Sequence, residues 1–102
     1  MKLLIITSIS EDLQNVSRIM EQANITVFSV SETIGHKTEH HDFLPDNWFG
    51  KNEDGTDALV FFSFTDDHKA SVALDLVKKF NAENITTFPV RAFISPVEQA
   101  SY

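Results

Sequence analysis

Apolar and polar positions follow two rhythms along this chain, interrupted by one long interval in which neither holds. Residues 2–7, KLLIIT, make a compact aliphatic run of the kind that forms a buried strand. Leu13, Val16, Ile19, Met20 and Ala23 then recur at spacings of three and four. That predicts a helix from about Ser10 whose other face, Glu11, Gln14, Arg18 and Gln22, meets water. Ser8 and Glu11 stand at capping-box spacing ahead of it, and Asn24 marks its end. Residues 25–33, ITVFSVSET, are rich in β-branched side chains and predict a second strand.

After the interval, DALVFFSFT at 57–65 is the strongest strand signal, and TDD at 65–67 supplies an N-cap for a second helix reaching about Phe80. Ala70, Ala73, Leu74, Val77 and Phe80 share one face of that helix. Lys78 and Lys79 sit near its expected C-terminus, where positive charge is favourable. Residues 86–95, TTFPVRAFIS, predict a last strand, and Pro89 inside it points to a sheet edge.

The order β-α-β-β-α-β gives two similar halves without an evident sequence repeat, and predicts an α+β, ferredoxin-like sandwich. Residues 1–102 then make a single domain with a four-stranded antiparallel sheet, both helices on one face, and a long loop between strands 2 and 3. Both faces of the central strands are apolar. Leu3 and Ile5 oppose Leu4 and Ile6, while Leu59 and Phe61 oppose Val60, Phe62 and Phe64. Helices cover one face, so the other needs cover from a second subunit or from the chain's own loop and tail. Leu4 and Ile6 with Phe62 and Phe64, or the alternate set, are the expected association face.

Composition narrows the function. A net charge of −7 without any Lys/Arg cluster repels phosphate backbones and argues against nucleic acid as a partner. Cysteine is absent, which removes thiolate nucleophiles, disulfides and cysteine-based metal sites. Leu3 to Ile6 is too short for a signal-peptide apolar region, and no run approaches a membrane span, so the expected location is the cytoplasm.

Candidate chemistry concentrates in residues 35–57, GHKTEHHDFLPDNWFGKNEDGTD, which hold three of the four histidines and the only tryptophan. So long a connection in a small domain is usually functional or disordered, and Phe43, Leu44, Trp48 and Phe49 argue against a plain solvated linker. His36, Glu39, His40, His41 and Asp42 offer imidazole with carboxylate, a set suited to zinc, copper, nickel or cobalt over magnesium or calcium. Spacing leaves the geometry open. His36 and His40 would stand about 6 Å apart on a helical turn but about 13 Å apart on a strand, where ligands from a second subunit would be needed. Simple solvation of loop histidines is the other reading. Trp48 and Phe49 are candidate partner contacts.

An enzyme is not expected. No G-x-S-x-G and no phosphate-cradling glycine loop occur. His68 beside Asp66 and Asp67 falls in a helical first turn, where acidic residues are favoured without any catalytic role. Arg91, in an otherwise apolar strand, is a candidate for binding an anionic ligand or for pairing with a carboxylate of a neighbouring chain.

With its element order, the long second loop and the ending FPVRAFISPVEQ at 88–99, the chain resembles the PII-like signalling proteins and the related CutA-like group. Pro89 to Ile94, followed by Pro96, Val97 and Glu98, is the most specific part of that resemblance. It implies a homotrimer whose sheets line a central space, a mobile T-loop matching residues 35–57, and regulation by small ligands bound between subunits. Where nucleotide-binding PII proteins carry a glycine-rich, lysine-containing segment, this chain has Asn52, Glu53, Asp54, Gly55, Thr56 and Asp57, whose charge repels phosphates. Ser95 to Tyr102 replace the arginine- and glycine-rich stretch that follows the fourth strand, and the loop lacks the tyrosine some PII proteins modify. The resemblance therefore implies a non-enzymatic regulatory protein that senses a small ligand or metal through residues 35–57 and acts on a partner, a membrane transporter among the candidates. The alternative is a CutA-like protein of divalent-metal binding and tolerance.

Overall fold

The computed structural model describes residues 1–34 and 57–101. Among them the chain forms β1 (Lys2–Ile9), a 3-10 turn (Ser10–Asp12), α1 (Leu13–Gln22), β2 (Ser29–Ile34), β3 (Asp57–Thr65), α2 (Asp67–Glu83) and β4 (Arg91–Pro96). The strands join in the order β2-β3-β1-β4 with every neighbouring pair antiparallel. This is the expected β-α-β-β-α-β, ferredoxin-like arrangement. The two most apolar runs, β1 and β3, take the centre, where both faces must be apolar; polar β2 and proline-preceded β4 take the edges.

Register settles which residues share a face. Leu4 lies opposite Ser63 and Ile94, and Ile6 opposite Phe61 and Ala92. Leu4, Ile6, Leu59 and Phe61 join Val16, Ile19, Met20, Ala23 and Ile25 from the α1 half and Ala73 and Val77 of α2 in one buried cluster. The other face carries Leu3, Ile5, Val60, Phe62, Phe64 and Phe93. Neither expected set is the uncovered one: Leu3 and Ile5 share that face with Phe62 and Phe64, while Leu4 and Ile6 lie with Leu59 and Phe61 under the helices. Because side chains alternate with a period of two, a one-residue error in pairing exchanges the faces completely.

The helix ends show where local reading succeeds and fails. Asn24 takes φ 59, and the Asn24 and Ile25 amides donate to Glu21 O and Met20 O at 3.0 and 2.9 Å. These are the paired bonds of a Schellman C-cap, with asparagine tolerating the left-handed turn and Ile25 returning into the core beside Met20. Asp66 caps α2, its carboxylate accepting the Lys69 amide at 2.7 Å. At α1, in contrast, no capping box forms: β1 runs on to Ile9, Ser8 Oγ donates to the Ile9 carbonyl at 3.0 Å, and the chain enters the helix through the 3-10 turn. Leu13, at the first turn of α1, is exposed.

Several boundaries shift. β2 begins at Ser29, after an irregular stretch whose Val27 carbonyl accepts a 2.7 Å bond from the buried Ser63 hydroxyl. The α2 helix continues to Glu83, which leaves Lys78 and Lys79 inside it and no basic residue in its last turn. Pro89 precedes β4 instead of lying in it; β4 is nevertheless an edge strand.

Candidate functional site

The ends of β1 and β2 and the starts of β3 and β4 converge at one end of the sheet, where Ile9 pairs with Ala58, Ile34 with Asp57, and Thr7 with Arg91. Residues 35–56 leave from Ile34 and return at Asp57, so this is the end from which the long connection departs. Here Ser10 Oγ donates to the Asp57 carbonyl at 3.3 Å, tying the 3-10 turn to the first residue of β3. A cleft of about 320 Å³ opens beside that bond, lined among the described residues by Ser10, Glu32, Thr33, Ile34, Asp57 and Ala58. Among those residues the charged groups are two carboxylates and the side-chain hydroxyls are two. Such a lining favours a cation or a hydrogen-bond donor over a phosphate. Sequence reading did not assign Ser10, Glu32 or Thr33 to any site; the antiparallel pairing of β1 with β3 brings Ser10 to Asp57, and that of β2 with β3 brings Glu32 and Thr33 there.

Arg91 is the first residue of β4, half-buried, in the row formed by Thr7 and Val60 on the uncovered sheet face. Among the described residues no carboxylate pairs with it. His68 is exposed in the first turn of α2, where Asp66 is committed to the cap. That turn follows Thr65, which pairs with Lys2. Arg91 pairs with Thr7, so five residues of β1, about 17 Å of strand, separate the two levels. His68 and Arg91 lie at opposite ends of the sheet and do not form one reaction centre.

Beyond Arg91 the uncovered face is a continuous apolar surface. Phe62, Ile5 and Phe93 stand abreast on three strands, with Leu3 and Phe64 paired in the next row. Phe62 and Phe64 pack edge to face at 6.4 Å between ring centroids, yet Phe62 stays 38% exposed and Phe64 57%. An exposed aromatic row in the middle of a sheet is a surface made to be covered.

His36, Glu39, His40, His41, Asp42, Trp48 and Phe49 lie outside the described residues. Among the described residues no group of three or more His, Asp or Glu side chains is placed to hold a metal ion. Nor is any described helix long and apolar enough to cross a membrane.

No protein-family model matches this sequence, and no curated protein matches it either. Among solved structures, the chain is similar to CPII, a nitrogen regulatory PII-like protein from Thiomonas intermedia K12 bound to ADP, AMP and bicarbonate. The similarity covers 91% of this chain and 84% of that one, with a TM-score of 0.62 and 11% sequence identity. The chain has a PII-like fold. At that identity the likeness lies in the path of the backbone, so the chemistry of the PII-like scaffold here rests on this chain's own side chains.

Proposed function

We propose that this chain is a non-enzymatic regulatory protein of the PII-like kind, assembling as a homotrimer through its uncovered sheet face. The observation that carries the reading is the apolar row of exposed Phe62, half-buried Ile5 and exposed Phe93 on a PII-like fold. In this reading residues 35–57 sense a small ligand or a divalent transition metal. His36, Glu39, His40, His41 and Asp42 are the candidate metal ligands, Arg91 the candidate anion contact, and Trp48 and Phe49 the surface offered to a regulated partner such as a membrane transporter. CPII was solved with ADP, AMP and bicarbonate. The carboxylates of Glu32 and Asp57 in the cleft, together with Glu53 and Asp54 in the sequence, weigh against a polyphosphate or bicarbonate here and leave a cation as the better-matched class.

Sedimentation equilibrium tests the assembly, with a species three times the 11.5 kDa chain mass expected. Calorimetric titration with ADP, bicarbonate and zinc then tests sensing. Zinc binding without any effect on capture of a partner would favour the CutA-like metal-tolerance reading, which rests on the same histidines.

A further inference from the structure

Residues 24–30, NITVFSV, and 84–90, NITTFPV, are identical at five of seven positions, and each follows a helix and leads into an edge strand. The two halves thus share a short sequence as well as an element order. The two copies, however, are folded in opposite senses. In the first, Asn24 is left-handed, the Ile25 amide bonds Met20 O, and Ile25 is 4% exposed. In the second, Asn84 has φ −131 and ψ 80, and its backbone amide and side-chain Nδ2 both donate to Phe80 O at 2.9 Å. Phe80 is the counterpart of Met20, so the acceptor that Ile25 uses in the first copy is occupied by Asn84 in the second. Ile85 is 94% exposed, and its amide has no backbone acceptor among the described residues. At the far end of the segment the burial is reversed, with Val90 1% exposed and Val30 42%.

Pro89 accounts for the difference. Its counterpart Ser29 pairs with Phe62, whereas a proline has no amide to donate and disfavours the helical conformation at the preceding residue. Strand pairing therefore starts two residues later, at Arg91, and Val90 is anchored by Asn81 instead of by a strand.

We propose that residues 84–88, ahead of the Val90 anchor, form a two-position switch. One position is the open arrangement just described. In the other, Asn84 turns into the left-handed region as Asn24 does, frees Phe80 O for the Ile85 amide, and withdraws Ile85 from solvent. The change is centred on one backbone rotation, at a residue type that accepts both conformations. The Asn81 bonds to Val90 lie beyond the moving residues and persist in both positions. Because the segment leads into Arg91, at the same sheet end as the Ser10–Asp57 cleft, the switch decides whether an isolated apolar side chain is offered there.

Residue-resolved amide exchange on the full chain tests this, with the Ile25 amide as an internal reporter of a closed cap. Asn84→Gly favours the left-handed turn, and Pro89→Ser makes the second copy nearly the first. Each is expected to raise the protection of the Ile85 amide by about tenfold or more, with Ile25 unchanged. Protection of Ile85 staying within about twofold of wild type in Asn84→Gly overturns the proposal. Should that variant not fold, the same comparison in Pro89→Ser decides it.

Discussion

The carboxamide of Asn81 holds Val90 by both of its backbone polar groups, Nδ2 donating to the carbonyl at 2.7 Å and Oδ1 accepting the amide at 3.1 Å. A side chain on α2 thus stands in for a neighbouring strand at the point where Pro89 delays β4, and the residue it holds is part of the core. Asn81→Leu leaves two buried backbone groups without partners, and a loss of about 2–4 kcal/mol is expected. The urea midpoint should fall with an unchanged slope. Asn81→Asp keeps the acceptor and removes the donor, so its midpoint should lie between the two.

Phe61 and Phe62 are adjacent in sequence and lie on opposite faces of β3, and their substitutions should separate accordingly. Phe62→Asp is expected to give a monomer with its far-UV circular dichroism retained, because the side chain it replaces lies outside the core cluster. Phe61→Ala should instead cost about 3–5 kcal/mol of stability. A Phe62→Asp protein that still sediments as a trimer would exclude the uncovered face as the interface.

At the end of α1, Asn24→Gly should leave stability within a few tenths of a kcal/mol, since glycine accepts the left-handed turn freely. Asn24→Ala imposes a steric cost of about 1–2 kcal/mol there. For a domain of this size each kcal/mol corresponds to a melting-temperature change of roughly 4–8 °C. Differential scanning calorimetry on the pair of variants makes the comparison.

A zinc titration addresses His36, His40 and His41, which lie outside the described residues. Wild-type protein is expected to bind with an affinity that falls as pH drops below about 6.5, where free imidazole takes up a proton and no longer ligates. The triple variant His36→Ala, His40→Ala, His41→Ala should lose that binding. Equal heats from the two proteins would remove the metal from the proposed function.

Element order, most of the helical core face (Leu13 and Leu74 excepted) and the Asp66 cap were legible in the sequence because each is set by residues within one or two turns of one another. The face shared by Phe62 and Phe64 was not, since Leu4 is placed against Ser63 only by a pairing 59 residues apart. Ser8 and Glu11 match a capping box locally, but Ser8 is drawn into β1 by its partner Leu59. The cleft at Ser10 and Asp57 has the same character, its lining drawn from the start of the first helical segment and from two strands joined by the long connection. Asn81 carried no local signal at all, because a surface-type residue in a helix becomes a clamp only when the chain folds back to Val90. For residues 35–57, composition nominated a candidate functional segment and candidate ligands without fixing their geometry.

β1 lies at the centre of the sheet, and its partners are β3 and β4, ending at Pro96. During synthesis it emerges before the other described strands; one edge waits for β3, complete at Thr65, and the other stays unpaired until β4 is complete at Pro96. At roughly 5–20 residues per second, about 5–20 s pass between the appearance of Ile6 and that of Pro96. For that interval the aliphatic stretch Leu3–Ile6 is an open strand template on the nascent chain. The yield of this protein in cells should therefore respond to chaperone supply more than the stability of its finished sheet would suggest.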